Sequence, residues 1–293
     1  MDIVIALGGG GSRGFAHVGV LRRLEQEGYR VKAVAGTSAG GIIAALYAAG
    51  YTPDEMEAKF TELDQSKLFG RTSKDGPGLL GLSGAEKVLE NFFGVRRFED
   101  LKLSCAVVAV DLQTGREVVL SQGRVVDAIL ATIAVPGIFP PKDYQGNQLV
   151  DGAVLNPVPV SIARLLAPNL PVIAVVLDEG TSADNGFPNI PLPMPVPAPI
   201  FKSLTRTRVA QSFGIFLKSV DVGSRKLAEM RLLEDAPEVI IRPELGGIGI
   251  LDNVNVSKII QLGEKATEEA LPDLKRAFAW PNRLRRIVFP KRP

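Results

Sequence analysis

Apolar and polar positions fall into blocks along the chain, and each change of period marks an element boundary. Residues 2–7, DIVIAL, form an apolar run stopped by Gly8-Gly9-Gly10-Gly11, which predicts a buried strand. From residue 14 to 27, Phe15, Val18, Val20, Leu21 and Leu24 recur at helical spacing, and Gly28 supplies a stop. A second strand is expected at 31–35 and an Ala-rich helix at 41–49. Thr52-Pro53-Asp54-Glu55 carries a cap, an N1 proline and an acidic first turn, so a third helix is expected after it. Residues 83–93 repeat that logic, with Glu86 completing a capping box.

Further on, strands are expected at 104–110 and 117–120 around a Gln113-Thr114-Gly115 turn, and at 148–150, 171–177 and 239–241. Helices are expected at 125–134, at 201–233 with a break near Gly223, and at 256–270. Strands alternating with helices imply an α/β fold, here a three-layer α/β/α arrangement around a mostly parallel central sheet. Residues 1–270 read as one domain with a proline-rich insert at about 186–200, and 271–293 as a basic tail. The segment 188–200 holds six prolines and no charge, so it is neither helix nor central strand. A surface connection and a lid or membrane-contacting loop both fit it. The tail holds seven Lys/Arg against one acid, with Phe278, Trp280 and Phe289 interleaved, which fits a solvated end or contact with an anionic membrane.

Composition narrows the chemistry. With 34 Lys+Arg against 32 Asp+Glu, no basic field exists to hold nucleic acid. A single cysteine, Cys105, excludes an intramolecular disulfide and cysteine metal clusters, and a single histidine, His17, excludes multi-histidine zinc sites. The start Met1-Asp2 lacks a basic leader, and the uncharged window 33–53 contains glycines that divide it into strand, turn and helix. A cytoplasmic protein, at or off the membrane surface, is expected.

Two glycine motifs stand directly after the first two strands. Gly9-Gly10-Gly11-Ser12-Arg13-Gly14 fits the dinucleotide pattern G-x-G-x-x-G, but the acid that should end the second strand is absent, with none before Asp54. A P-loop fails as well, since Phe15 and Ala16 stand where Lys and Ser/Thr are required. Glycine amides at a helix N-terminus still make an anion hole, and an alkoxide forming on a carbonyl carbon is an anion. Gly36-Thr37-Ser38-Ala39-Gly40 is G-x-S-x-G between a strand and a helix, the setting of a nucleophile elbow.

A base for Ser38 is less legible. His17 precedes the serine, against the usual order of hydrolase triads, and reads as a helix histidine satisfied locally. Asp111, Asp151 and Asp178 end apolar strands, where a doubly wound sheet displays its site. Asp111 opens a Gln-Thr-Gly turn and Asp178 leads into Glu179-Gly180; Asp151, in Leu149-Val150-Asp151-Gly152-Ala153, is favoured.

GGGGSRG, GTSAG and DGA, in this order, resemble the patatin-like phospholipase family over about residues 2–180, with Pro136–Pro141 and Asn156-Pro157-Val158-Pro159-Val160 in support. The resemblance implies a lipid acyl hydrolase, of phospholipase A or lysophospholipase type, working through a Ser38–Asp151 dyad without cofactor or metal. It implies an oxyanion loop of Gly9, Gly10, Gly11, Ser12, Arg13 and Gly14, with donors at Gly10 and Gly11 and an addition from Ala39. Gly36, Thr37, Ala39 and Gly40 would shape the elbow, and Gly152 and Ala153 the base motif. Arg13 would brace the loop or attract a substrate phosphate, unless it is plain surface. Because a free aspartate is a weak base, Asp151 should lie in apolar surroundings. The competing readings are a non-catalytic lipid-binding or regulatory module and a nucleotide-dependent oxidoreductase.

Overall fold

The computed structural model describes residues 1–69, 76–177 and 208–279. The apolar hexamer is strand β1 (Asp2–Leu7), and the glycine run at its end passes through a 3-10 turn (Gly11–Phe15) into α1 (Ala16–Gln26). Then come β2 (Arg30–Thr37), α2 (Ala39–Ala48), α3 (Pro53–Thr61) and α4 (Ser83–Phe93). After these lie β3 (Ser104–Asp111), β4 (Arg116–Leu120), α5 (Val125–Thr132), β5 (Lys142–Tyr144) and β6 (Asn147–Asp151). The last are α6 (Val160–Leu166), β7 (Val172–Val175), α7 (Arg208–Asp235), β8 (Val239–Ile241), α8 (Val256–Glu269) and α9 (Leu271–Ala277).

These strands build one sheet in the order β5-β6-β3-β2-β1-β7-β8, with β4 paired to β3. The β1–β2, β2–β3, β1–β7 and β7–β8 pairs are parallel; β3–β4, β3–β6 and β5–β6 are antiparallel. Both faces are covered, as near-continuous apolar strands require. Ile3, Ile5 and Leu7 join the larger core, which also takes in α1, α2, α4, α5 and α8. Val4, Ala6, Ala33, Ala35, Ala106 and Ala174 line the other face, where small side chains let α6 and α7 pack close. The fold is the expected α/β/α arrangement.

The register along β3 brings two distant chain segments together. Ala33–Thr37 of β2 run beside Ser104–Val108, so Thr37 pairs with Val108. Ala109 then pairs with Asp151 of β6 on one edge and with Val118 of β4 on the other. The edge that β2 leaves at Val108 is therefore taken over at the next residue by β6. The residue after Thr37 and the last residue of β6 are brought end to end.

Several elements differ from the sequence reading. Leu82, not Ser83, caps α4 and makes no side-chain cap bond, so the capping box does not form. Helix α7 runs through Gly223 without a break. Strand β5 and helix α6 were not foreseen; α6 comes after Pro157 and Pro159, which mask the signal of a seven-residue helix. Leu271–Ala277, expected as tail, is a helix with Leu274 fully buried. Asp178, the proline-rich insert at 186–200 and residues 280–293 lie outside the described residues. Among the described residues no helix is long and apolar enough to cross a membrane.

Candidate active site

Ser38 caps α2 at φ 54° and ψ −125°, a conformation that side chains other than glycine rarely adopt. Its surroundings hold it there. A Cβ on Gly36 would strike the Gly40 carbonyl, and one on Gly40 the carbonyls of Leu7 and Gly8, so the turn closes only with glycine on both sides. The Ser38 amide donates to Thr132 Oγ1 at 2.9 Å, and the Thr132 hydroxyl in turn donates to the Val108 carbonyl. The Thr37 hydroxyl donates to the Asn156 carbonyl at 2.9 Å, fastening the elbow to the segment beyond Asp151. Nothing in the sequence singled out Thr132; it sits inside α5 with no motif around it.

The glycine loop approaches from the end of β1. A Cβ placed on Gly9 would lie 3.3 Å from Ser38 Cβ and 3.6 Å from Ala153 Cβ, so loop, serine and aspartate motif meet at one point. Gly14 leaves no room for a side chain beside Ala39, which lets the loop abut the first turn of α2. The loop is pinned from outside. Gly8 N–H donates to Val175 (2.9 Å), Gly9 N–H to Pro157 (3.0 Å) and Ser12 N–H to Ile250 (2.9 Å), all to carbonyls. The Ser12 hydroxyl donates to the Asp252 carbonyl at 2.7 Å, so a strap near the C-terminus clamps the loop. Arg13 is buried and its Nε donates to the Gly10 carbonyl at 3.1 Å, which makes it a brace rather than surface. Among the described residues, the amides of Gly10, Gly11 and Ala39 have no backbone acceptor outside the regular elements.

Asp151 is 3% exposed. Burial pushes its carboxyl up from 3.8 to about 6, against hydrogen bonding from the Ser38 hydroxyl and the Ala153 amide, which pulls it down. The Ala153 bond is 2.8 Å to Oδ1. Gly152 is obligatory, since a Cβ there would strike the Val108 carbonyl. Asp111, by contrast, is a turn residue: its carboxylate accepts from the Thr114 hydroxyl (2.7 Å) and the Gln113 amide (3.1 Å), and these bonds hold its pKa below the usual range.

His17 is fully buried, and its Nε2 donates to the Gly8 carbonyl at 2.8 Å. Burial, opposed by that bond, pushes its pKa down to about 4, so the ring is neutral at pH 7. It serves the backbone of the loop, not the serine. Among the described residues, no group of three or more His, Cys, Asp or Glu could hold a metal. A buried serine–aspartate pair beside unclaimed backbone amides can deprotonate an alcohol and hold a developing oxyanion.

Comparison with known proteins agrees with the motifs. Residues 5–164 match the family model of patatin-like phospholipases. The chain is 33% identical over 192 residues to an uncharacterised NTE family protein of Mycobacterium tuberculosis, covering 64% of this chain and 53% of that one. A second protein of that family and organism is 29% identical over 280 residues, covering 93% of this chain and 47% of that one. The chain thus spans about half the length of these curated relatives. Lysophospholipase NTE1 of Coccidioides immitis is 28% identical over 322 residues, covering 99% of this chain and 19% of that one. Among solved structures, VipD of Legionella pneumophila shares the fold, with a TM-score of 0.56 and 13% identity over 92% of this chain and 66% of that one.

Proposed function

The chain belongs to the patatin-like phospholipase family, and on that premise we propose that it is a serine hydrolase of lipid carboxylic esters, with Ser38 as nucleophile and Asp151 as base. The observation that carries the reading is the buried Asp151 carboxyl facing the Ser38 hydroxyl, with its proton affinity raised by desolvation.

Asp151 takes the Ser38 proton as the serine oxygen attacks the ester carbonyl, and the carbonyl oxygen becomes an alkoxide. The amides of Gly10 and Gly11, with Ala39, receive that charge; one such donor contributes roughly 3–4 kcal/mol to the transition state. Collapse breaks the bond to the leaving alcohol, which takes the proton from Asp151. Water then attacks the acyl-serine, Asp151 accepts its proton, and the second collapse releases the fatty acid as Asp151 passes that proton to the departing Ser38 oxygen. A pKa of about 6 suits this exchange: the carboxylate is ionised at pH 7 yet far more basic than a free aspartate.

Phospholipase A and lysophospholipase activities are both consistent with the family premise, and the name of the fungal relative favours the second. A fluorophosphonate probe should label the wild type and not Ser38→Ala. Ser38→Ala and Asp151→Asn should each abolish turnover of a p-nitrophenyl acyl ester. A wild type that binds lipid but is neither labelled nor active would mark a non-catalytic lipid-binding module instead.

A further inference from the structure

We propose that His17 is a positioning residue for the anion-binding loop: its imidazole locks the Gly8–Gly9 peptide, from which the Gly10 and Gly11 amides are presented to the oxygen that turns negative. This role rests on the hydrolase reading and adds to it a residue that reading does not use.

The Gly8–Gly9 peptide is held at both ends. Its carbonyl accepts from His17 Nε2 at 2.8 Å, and its N–H donates to the Pro157 carbonyl at 3.0 Å. A carbonyl only accepts, so the imidazole carries its proton on Nε2. Pro157 belongs to the segment just beyond Asp151, so the locked peptide registers the loop against the base as well as against α1. On the serine side little room is left, because a Cβ on Gly9 would come within 3.3 Å of Ser38 Cβ. His17 and Pro157 fix the peptide through its carbonyl and its N–H, which sets the orientation of its plane.

The other ring nitrogen argues the same way. Nδ1 is buried and, among the described residues, has no hydrogen-bond partner, a cost that an apolar side chain would not carry. The neighbours on α1 that only fill the core, Val18, Val20, Leu21 and Leu24, are apolar. A histidine in that company is retained for the one bond it makes. Because burial keeps the ring neutral, that bond does not titrate in the range where a hydrolase would work.

Three variants of the full chain test this: His17→Leu, His17→Gln and His17→Asn, assayed with p-nitrophenyl butyrate beside thermal unfolding and fluorophosphonate labelling. Misplaced oxyanion donors should lower kcat of His17→Leu by about 10- to 100-fold, with KM changed by less than about 2-fold. Gln can extend its amide to where Nε2 stood and should return kcat to within about 3-fold of wild type. Asn is shorter by one methylene and should not. If His17→Leu does not fold, the contrast between Gln and Asn decides alone. Unaltered kcat in His17→Leu, a loss carried by KM, or equal behaviour of Gln and Asn would each overturn the inference. A wild type that the probe fails to label would instead sink the hydrolase reading beneath it.

Discussion

At φ 54° Ser38 occupies backbone space that suits glycine, and beside it Asp151 keeps a carboxylate where almost no water reaches. Both placements work against folding. The Asp151 carboxyl titrates at about 6 in the native chain, above its ordinary value, so the native state binds the proton more tightly than the unfolded one. Its contribution is most favourable below about pH 4 and is lost as pH rises through 6, a deficit of about 3 kcal/mol that persists at higher pH. Asp151→Asn should therefore raise the thermal midpoint at pH 8 and change it little at pH 4, while turnover disappears. For the active enzyme, kcat/KM should climb with an acid limb near 6; a limb at the pH of a free aspartate would contradict the buried base. At this scale the sequence was legible wherever a motif fixes the chemistry. Ser38 stood out through its glycines, Asp151 was favoured among three strand-end aspartates, and Thr132 did not stand out at all. Thr132 acts on Ser38 through tertiary contact across 94 positions, which leaves no local pattern.

Elements with a clear period were readable, and those built by tertiary pairing were not. The apolar strands β1, β2 and β3 and the amphipathic α1 and α8 lie close to their expected positions. Short β5 forms only against β6, and α6 hides behind its prolines. The packing of α1 on α8 was equally hidden, because it depends on two glycines far apart in the chain. A Cβ on Gly19 would strike the Ile260 carbonyl, and one on Gly263 the Ala16 carbonyl, so the helices touch backbone to backbone. Gly263→Ala should force them apart and lower stability by about 1–3 kcal/mol in urea unfolding, as overpacked sites do. An unchanged midpoint would show that the contact has room to give.

Across the whole molecule, the candidate site lies at the C-terminal ends of β1 and β2, where parallel strands of an open sheet deliver their loops. The layers and this placement were readable from the alternation of strand and helix. The C-terminal boundary was not, because Leu274 lies on the buried face of a helix within a stretch whose charge pattern reads as solvated. Ending the chain after residue 270 should therefore destabilise it. Ending it after 279 removes most of the basic residues and should weaken retention on anionic vesicles in a salt-sensitive way, with turnover of a soluble ester unchanged. Retention equal to that of the full chain would assign the tail no membrane role.

The handover along β3 has a wider consequence. Ser38 and Asp151 are measured off against consecutive stretches of one ladder, so peptide geometry sets their spacing while the intervening chain leaves and returns. Lengthening any excursion between them should be harmless to the pair. A single-step slip of β6 on its neighbour would aim the carboxylate at the opposite side of the sheet. Such an architecture can acquire new loops, and with them new specificities, as long as the strands stay aligned.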